Sequence, residues 1–590
     1  MASRFWQLES LYRSNAKYLP SWVPRFLCYD SSLTLTRAAV AAGMAEGFLP
    51  AQHPTPPRTP HETVVLEGGA TVEFFEAVRR QKEHVKVSPR TGELTEQQQA
   101  RRNKIDRLAR AGYEAYPVSV PRDHLIAEVS AAVGQRQLFP DISISVTGRV
   151  RALRDLGGVS FAVLVEQGHS LQAMLTADAT PAEARLLWKQ TVDLGDLVSV
   201  TGKLVYSRRG ELSVLVDDWS MAAKCLRPLP SAHRGLFNPE TRVRQRYLDI
   251  MVNPESMQVL QTRSAVLKTL RDSLGARGFT EVETPMLQAV HGGAAARPFR
   301  TYINAYDTDL YLRIAPELYL KQLCVGGMGK IFELNRNFRN EGADATHNPE
   351  FTSLEVYQAY ADYNTMRQLT CDLIIQAAQA VHGDPVAVRW NERGEPQRVD
   401  LAREWPVTSV YDAVSTAART TVSSSTTAQE LGEICSRHRI HAPTRSTPGD
   451  LVLKLYTELV EKKTGYPTFY VDFPLETSPL TRVHRSDATL SERWDLVAFG
   501  TEIGTAYSEL TDPLDQRRRL TAQSIRAAAG DTEAMQIDEG FLTALEYAMP
   551  PTGGLGLGVD RLVMMLTGVS IRATIAFPLV RAATSSQRGA

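Results

Sequence analysis

The sequence predicts an α+β protein in which a small β-barrel precedes a larger domain of helices and strands. Two patterns lead to this prediction. Between Asp141 and Trp219, five short runs alternate apolar and polar residues, and one helical interval separates the third run from the fourth. Beyond residue 260, helical periodicity in 262–279 and strand-like alternation in 331–337 indicate mixed secondary structure.

Length, charge and cysteine content narrow the class of protein. A chain of 590 residues is too long for one hydrophobic core and predicts roughly three or four domains. The 66 basic and 66 acidic residues cancel, which argues against nonspecific nucleic-acid binding over the whole surface. Five cysteines lie far apart without a CxxC pair and indicate neither a zinc ribbon nor a disulfide framework. They are Cys28, Cys225, Cys324, Cys371 and Cys435.

The sequence also bears on localisation. No apolar run reaches the roughly 18 residues that a membrane-spanning helix requires. The first residues include Arg4, Glu9 and Arg13 and contain no long apolar segment. We therefore expect neither a signal peptide nor a membrane span in this chain, and we expect it to be cytoplasmic.

Breaks in composition divide the chain into segments. Residues 1–49 contain several aromatics but too little chain to bury them, so we expect this segment to belong to a larger domain. The Pro-rich stretch at 50–60 predicts an extended linker, which we place at 50–100. The barrel domain is expected at 101–228 and the larger domain at 229–585. An insertion into the larger domain is expected around 380–450, where a polar run lies.

The barrel segment has the strand order of an OB-fold, with a helix after the third strand. Arg149, Arg151 and Arg154 precede Phe161, and basic side chains near an aromatic ring suit a single-stranded nucleic acid. Phe161 could equally be a core residue of the barrel, and barrels of this type also bind sugars or proteins.

The segment FRNEGADATHNPEF, residues 338–351, predicts a hairpin that binds a nucleotide. Arg339 can neutralise a phosphate that gains charge during displacement, and Phe351 offers a flat face on which adenine can stack. The preceding residues 331–337 alternate as a strand does. Taken alone, an Arg-Asn-Glu sequence is more often a solvated surface turn.

The sequence predicts secondary structure in two further segments. Residues 262–279 place Val266, Leu270 and Leu274, with Leu267 beside them, on one face of a helix that should end at Gly278. A strand over EVETP, residues 281–285, is expected next. Further along, GLGLGVDRLVM predicts a glycine-rich turn before Arg561, followed by a helix. By itself such a turn is more often a plain loop than a phosphate cradle.

Several motifs together resemble the class II lysyl-tRNA synthetases over residues 100–585. They are HGGAAARPF at 291–299, YLRIAPELYLKQL at 311–323, the hairpin and its continuation at 338–363, and GLGLGVDRLVMML at 554–566. The resemblance implies an antiparallel catalytic sheet with flanking helices, an N-terminal OB-fold that reads the anticodon, and a homodimer built around the segment that ends at Pro285. It also implies ATP-dependent ligation of L-lysine to tRNA(Lys) through lysyl-adenylate, with Mg²⁺ as cofactor.

The resemblance assigns site residues by their position in matching motifs. The expected catalytic cations are Arg339 and Arg561. The residues expected to bind ATP are Arg339, Glu341, His347, Asn348, Phe351, Glu502, Gly558 and Arg561. Those expected to bind lysine are Gly293, Glu317, Glu355, Tyr357, Tyr507 and Glu509. The expected magnesium ligands are Asp495 and Glu502, and the expected anticodon contacts are Phe161, Gln172 and Glu211.

Within this set, Glu317 is expected to take the α-ammonium of the substrate. Glu355, Tyr357 and Glu509 are expected around its side-chain ammonium, whose three donors must be paired when they are buried. The chain departs from the bacterial pattern in two places, with Asp495 for glutamate and 505–507 reading Thr-Ala-Tyr for Asn-Gly-Phe. A threonine has no carboxamide donor, so a contact with the substrate carboxylate must change or pass to Arg339.

The segment 5–26 is similar to the closing part of a membrane-linked phosphatidylglycerol lysyltransferase domain. That segment ahead of a synthetase resembles the actinobacterial bifunctional proteins that make Lys-tRNA and transfer lysine to phosphatidylglycerol, an activity tied to lipid metabolism and antibiotic resistance. We expect a membrane-anchored parent protein, of which this chain carries only a remnant of the transferase domain and no transferase activity. The alternative for residues 1–49 is a disordered extension.

Two other functions remain open from the residues. One is a synthetase-like module that binds tRNA or regulates without activating an amino acid, against which the retention of Arg339, Glu502 and Arg561 argues. The other is an aspartyl or asparaginyl enzyme of the same subclass. Neither aspartate nor asparagine has a cationic side chain, so Glu355 and Glu509 would face such a substrate unpaired.

Overall fold

The computed structural model describes residues 94–134, 143–230, 236–391, 393–443 and 446–580. The expectations for residues 1–49 and for most of the 50–100 linker therefore lie outside the described residues. Helix α1 spans Glu96–Arg110, so the last residues assigned to the linker are helical. Its capping box explains this start, since Thr95 and Gln98 each satisfy a backbone N–H of the other. Within the described ranges, no helix combines the length and apolar character needed to cross a membrane.

A closed barrel follows α1 and the short helix α2 (Ile126–Gly134). Its strands are β1 (Ser143–Asp155), β2 (Val159–Glu166), β3 (His169–Thr176), β4 (Leu197–Tyr206) and β5 (Leu212–Ala223). Helix α3 (Ala182–Thr191) connects β3 to β4, and the barrel closes in the order β1-β2-β3-β5-β4. The alternating residues of each strand fill the interior, as the sequence pattern predicted, and the OB-type order is confirmed.

The larger domain is built on an eight-stranded sheet in the order β14-β15-β16-β17-β18-β11-β10-β6. Each edge strand is parallel to its one neighbour: β6 (Thr280–Glu281) pairs with β10 and β14 (Val407–Ser409) pairs with β15. The six strands between them pair antiparallel with one another. Those six strands are β10 (Lys330–Phe338), β11 (Glu350–Ala359), β15 (Thr468–Pro474), β16 (Leu490–Ala498), β17 (Thr501–Ser508) and β18 (Thr552–Gly558). The α+β class with an antiparallel central sheet is thereby confirmed.

Helices cover one face of this sheet. They are α6 (Pro254–Ala276), α8 (Tyr363–His382) and α14 (Val559–Thr567), and the short helices α4 (Pro239–Arg244) and α5 (Arg246–Val252) precede α6. The core between helices and sheet includes Val266, Leu270 and Leu274 from α6, which confirms the predicted helical face. Gly278 follows α6 with φ +79°, the left-handed conformation that ends many helices. The opposite face of the sheet is left for side chains that are mostly polar.

The remaining elements surround that open face. A three-stranded sheet is formed by β7 (Leu287–Gln288), β8 (Phe299–Ile303) and β9 (Thr308–Leu312), and helix α7 spans Glu317–Val325. A hairpin of β12 (Val386–Trp390) and β13 (Pro396–Asp400) comes after α8. Helices α9 (Val410–Ala418), α10 (Ala428–Arg437) and α11 (Pro448–Leu459) share a second core with β15. Helices α12 (Pro513–Ala528), α13 (Glu539–Leu545) and α15 (Ile571–Thr574) complete the domain.

Two local predictions differ from the structure. Of the strand expected over 281–285, only Glu281 is in a strand, because β6 spans Thr280–Glu281. Arg313 explains the difference, because its side chain donates to the carbonyl of Thr284 and its backbone N–H donates to the carbonyl of Met286. The glycine-rich run 552–558 is strand β18 rather than a turn, and the helix starts at Val559, before Arg561. Its neighbours β11 and β17 supply ladder partners on both sides.

Candidate active site

A cavity of about 740 Å³ opens on the polar face of the central sheet. All the residues that the sequence analysis assigned to ATP or lysine binding line this cavity. They are Gly293, Glu317, Arg339, Glu341, His347, Asn348, Phe351, Glu355, Tyr357, Glu502, Tyr507, Glu509, Gly558 and Arg561. Because these residues come from strands, helices and loops more than 250 positions apart, only the folded sheet brings them together.

One end of the cavity carries two arginines. Arg339 follows β10, and its guanidinium lies 5.0 Å from the centre of the Phe351 ring, in cation–π geometry. Its Nε is buried without a hydrogen-bond partner, so one donor remains for a ligand. Arg561, in the first turn of α14, donates from Nη1 to the carbonyl oxygen of Glu502 at 2.9 Å. Two cations near an aromatic face suit a polyphosphate attached to a flat base.

The loop between β10 and β11 shapes the same end, as the predicted hairpin required. Asp344 fixes this loop by accepting from the backbone N–H groups of Thr346 and His347 at 2.7 and 2.8 Å. The His347 ring then lies with Nε2 3.1 Å from Nη2 of Arg561. The side-chain oxygen of Asn348 is buried without a partner. A polar loop with an unsatisfied acceptor thus faces the two arginines.

The other end of the cavity is acidic. Glu355 and Tyr357 project from β11, Glu317 begins α7, and Glu509 follows β17. All four are buried, and the Tyr357 hydroxyl lies 3.2 Å from Glu355 Oε2. Glu509 Oε1 has no hydrogen-bond partner. Three buried carboxylates with an unpaired oxygen form a site for a ligand with positive charge.

Burial determines the protonation of this end. Desolvation, reinforced by the charges of Glu317 and Glu333, raises the pKa of Glu355 to about 8. Desolvation also raises the pKa of Glu509, an effect that the neighbouring Lys321 opposes. The pKa of Tyr357 is likewise raised, by burial first and then by the surrounding carboxylates. A cationic ligand would relieve this accumulation of negative charge.

Glycines form the floor between the two ends. Gly554 and Gly556 on β18 pair with Tyr357 and Glu355 on one side and with Tyr507 and Thr505 on the other. A Cβ at 554 would overlap Glu509 Oε1 and lie 2.8 Å from Tyr357 Cε1. A Cβ at 556 would meet nothing nearer than Thr505 Cγ2 at 4.0 Å, so that position faces open cavity.

The two expected magnesium ligands are placed differently. Glu502 lies in the cavity wall, whereas Asp495 lies beneath it and does not line the cavity. Both oxygens of Asp495 accept from Arg493, at 2.9 and 2.8 Å, and Oδ1 also accepts from Thr505 Oγ1 at 2.7 Å. Among the described residues, no group of three or more His, Cys, Asp or Glu side chains could hold a metal. The donors present fit an ion that arrives with phosphate ligands rather than a resident cage.

At the two positions where the chain departs from the bacterial pattern, the side chains have partners within the protein. The hydroxyl of Thr505 is used by Asp495 and by the carbonyl of Trp494, at 2.7 and 3.1 Å, and does not extend an amide into the cavity. Tyr507 lines the cavity, and burial raises the pKa of its phenol to about 12, so it remains a neutral donor. Arg493 lies 5.9 Å from its ring centre.

The sequence did not point to two cations, of which Lys321 is fully buried and Arg493 is largely buried. Lys321 and Arg493 are both next to expected site carboxylates. Their sequence signals are short-range pairs: Lys321 lies four residues after Glu317 on one helix, and Arg493 lies two residues before Asp495 on one strand. Such spacings are usual for surface ion pairs, so only the burial in the structure marks them.

The three expected anticodon residues share one outer face of the barrel. Phe161 pairs with Met174 and Gln172 with Val163 across β2 and β3, on the side facing away from the barrel interior. Phe161 is partly exposed and absent from the barrel core, which disfavours the core alternative. Gln172 Nε2 donates to Glu211 Oε2 at 2.6 Å. An aromatic face beside an amide and a carboxylate suits stacked bases whose edges are read by hydrogen bonds.

Comparison with known proteins gives two family matches. Residues 238–581 match the model described as tRNA synthetases class II (D, K and N), and residues 144–222 match the OB-fold nucleic acid binding domain. The chain is similar to proteins named lysylphosphatidylglycerol biosynthesis bifunctional protein LysX. The one from Gordonia bronchialis is 51% identical over 98% of this chain and 50% of its own length. The one from Nocardia farcinica is 51% identical over 98% of this chain and 51% of its own length.

A LysX protein from Mycobacterium tuberculosis is 47% identical over 98% of this chain and 50% of its own length. The chain thus spans about half the length of the curated relatives it matches.

Proposed function

The chain belongs to the class II tRNA synthetases of the D, K and N group, and on this premise we propose that it ligates L-lysine to tRNA(Lys) through lysyl-adenylate. The observation that carries the choice of lysine is the buried acidic end of the cavity. Glu355, Tyr357 and Glu509 surround a space that an aspartate or asparagine side chain would leave without a cation. Neither alternative substrate brings a cationic side chain, so the buried carboxylates would keep an unrelieved desolvation cost of several kcal/mol.

In the proposed reaction, the α-carboxylate of lysine attacks the α-phosphorus of ATP, and pyrophosphate leaves. No protein nucleophile is needed, because the chain positions the reactants and supplies positive charge. Arg339 would bind the α-phosphate as its charge grows, while Arg561 and His347 would hold the outer phosphates and adenine would stack on Phe351. The terminal hydroxyl of the tRNA then attacks the lysyl carbonyl, and AMP leaves.

Mg²⁺ is the proposed cofactor, and Glu502 is the residue best placed to hold it. When bound with ATP, the ion would neutralise charge on the phosphate oxygens. Asp495, which is held by Arg493 and Thr505, would support the neighbouring strand and reach the ion only if its side chain moved. Arg561 Nη1 lies 3.8 Å from Glu502 Oε2, so the carboxylate is already close to the cation that would face the phosphates.

Amino-acid-dependent exchange of pyrophosphate into ATP tests this function. The assay is run with each of the standard amino acids and no tRNA. We expect strong exchange with lysine and at most weak exchange with aspartate or asparagine. Exchange with aspartate or asparagine instead would reject the specificity. No exchange with any amino acid would favour a module that binds tRNA without activation.

The names of the relatives suggest the fate of the product. We propose that Lys-tRNA made by this chain supplies lysine for lysylphosphatidylglycerol, as part of a longer, membrane-linked protein. The described residues contain the barrel and the synthetase domain. Purified chain with lysine, ATP, Mg²⁺, tRNA and phosphatidylglycerol vesicles should charge tRNA but yield no lysyl-lipid by mass spectrometry. Addition of membranes that carry a complete lysyltransferase should restore the lipid product.

A further inference from the structure

Lys321 is a fully buried cation next to the acidic end of the cavity. Its Nζ lies 2.7 Å from Glu317 Oε1, one turn earlier on α7, and 2.5 Å from Glu509 Oε2, beyond the end of β17. A third contact reaches the carbonyl oxygen of Leu480 at 3.4 Å. Of the three donors of this ammonium group, two make hydrogen bonds, to Glu317 and to Leu480, and its charge is paired with Glu509.

The position of Lys321 relative to the cavity decides what it can do. Glu317 and Glu509 both line the cavity, whereas Lys321 does not. Lys321 therefore lies behind the wall and takes one oxygen of each carboxylate from the rear. Neither side-chain oxygen of Glu509 accepts a hydrogen bond from the described residues, and Oε2 has only the ion pair with Lys321. A residue in this position cannot contact the substrate, but it fixes the two groups that can.

We propose that Lys321 is a positioning residue that holds Glu317 and Glu509 aligned with each other, and so joins the subsite for the substrate's α-ammonium to the subsite for its side-chain ammonium. This inference rests on the proposed lysine specificity. Two buried carboxylates that share a site repel each other, and one of them takes up a proton unless a cation compensates. Lys321 supplies that cation, and the two carboxylates keep its own pKa raised although burial opposes the charge.

Other cations line the cavity, but Arg493 is paired with Asp495, and Arg339 packs on the ring of Phe351. The other titratable groups that face it are Cys324, Glu355, Tyr357 and Tyr507. Each of them is either neutral or negative when it titrates. Burial raises the pKa of Glu509 and Lys321 opposes that rise, so without Lys321 more of Glu509 would carry a proton near neutral pH, and a substrate with two ammonium groups would meet less negative charge. Raising the pH would remove that proton and restore binding.

The test is Lys321→Met, which keeps an unbranched side chain one atom shorter and removes its charge. Lysine-dependent pyrophosphate exchange is measured between about pH 6 and pH 9, with KM determined for lysine and for ATP. We expect the lysine KM to rise by about tenfold or more at neutral pH, the effect of one pKa unit, and to recover towards pH 9. The KM for ATP should stay within about twofold of wild type, because the phosphates bind at the other end of the cavity.

Lys268→Met is the matched control. Lys268 also pairs with a carboxylate four residues away, Asp272, but on the exposed surface of α6. It should leave both KM values unchanged. A lysine KM for Lys321→Met that equals wild type at every pH would overturn the inference. So would an equal, pH-independent rise in both KM values, which would mark a merely structural role.

Lys321→Arg keeps the charge and serves if the methionine variant does not fold. Its lysine KM should follow the pH profile of the wild type, and a loss that recovers only at high pH would contradict the proposal. The two hypotheses remain distinguishable in this design. If the wild-type protein shows no exchange with lysine, the proposed function fails and this inference falls with it. If wild type exchanges with lysine but neither variant changes the pH profile, only the inference fails.

Discussion

Arg339 lies beside Phe351 and has a buried Nε without a hydrogen-bond partner, which makes it the residue with most to contribute to the developing phosphate charge. We expect Arg339→Ala to lower lysine-dependent pyrophosphate exchange by about a hundredfold or more, the usual effect of removing one charge-stabilising donor. Arg336→Ala is the control, since Arg336 lies on the same hairpin in a surface ion pair with Glu350. Near-wild-type exchange by a folded Arg339→Ala protein would contradict the assignment.

Glu355 gives a pH prediction. Its pKa is about 8 in the folded protein and 4.5 for an ordinary glutamate, so between these values only the folded state holds the proton. The free energy of unfolding of the ligand-free protein should therefore fall as the pH rises from about 4.5 to 8. Glu355→Gln should remove this contribution, which is on the order of a few kcal/mol between pH 6 and 9. Urea denaturation at both pH values measures it.

The control for that experiment is Glu350→Gln, an exposed glutamate on the same strand. It should lose as much stability as wild type over the same pH range. A pH dependence in Glu355→Gln as steep as in wild type would show that Glu355 is ionised in the folded protein.

At the level of residues, the sequence predicted the side chains that line the cavity better than those that lie behind them. Arg339, Glu355 and Glu509 were found because they stand in recognisable motifs. Lys321 was not found, because a lysine four residues after a glutamate on a helix reads as a surface pair. Its burial depends on Glu509 and Leu480, which only the fold brings to it.

At the level of elements, the outer barrel face formed by Phe161, Gln172 and Glu211 can be tested apart from the synthetase domain. Phe161→Ala should reduce aminoacylation of tRNA through the loss of about 1–3 kcal/mol of stacking. Pyrophosphate exchange, which uses no tRNA, should stay nearly unchanged. Leu186→Ala, which removes an exposed side chain from α3, should change neither reaction. A parallel loss of exchange and of thermal stability would mark Phe161 as structural.

The barrel strands were predictable because each one alternates residues between a filled interior and solvent. The glycine run 552–558 was interpreted as a turn, because nothing in its own sequence shows the partners that make it a strand. Those partners are β11 and β17, whose side chains occupy the polar face that the glycines leave free. Thr284 and Met286, which follow β6, likewise have their carbonyl groups bound by Arg313, a residue distant in the sequence.

At the level of the whole molecule, the three-stranded sheet β7–β9 presents apolar side chains to solvent. Met286, Leu287, Tyr302 and Tyr306 are all exposed, although side chains of this size usually find a partner when they cluster. We propose that two copies of the chain associate through this surface, which directly follows the segment ending at Pro285 around which the resemblance implies a homodimer. Leu287→Asp should then shift the protein from dimer to monomer in sedimentation velocity and lower its exchange activity.

Leu514→Asp is the matched control, because Leu514 is an exposed leucine on α12, outside this sheet. It should sediment as wild type does. A wild-type protein that is monomeric at all concentrations, or a Leu287→Asp variant that remains dimeric, would contradict the proposal.

A substitution at Gly556 should block substrate binding in the cavity without changing the barrel. A methyl group at this position would enter open cavity and touch no neighbouring atom closely, so Gly556→Ala should fold normally. The same methyl group would occupy volume that a bound adenylate needs. The variant would keep its barrel and every charged group of the cavity. The added methyl group would nevertheless exclude the natural substrate by steric overlap. A substrate analogue that is smaller by one methyl-sized group would then fit the variant. Such a pair would allow the reaction of this chain to be controlled separately from that of other proteins in a cell.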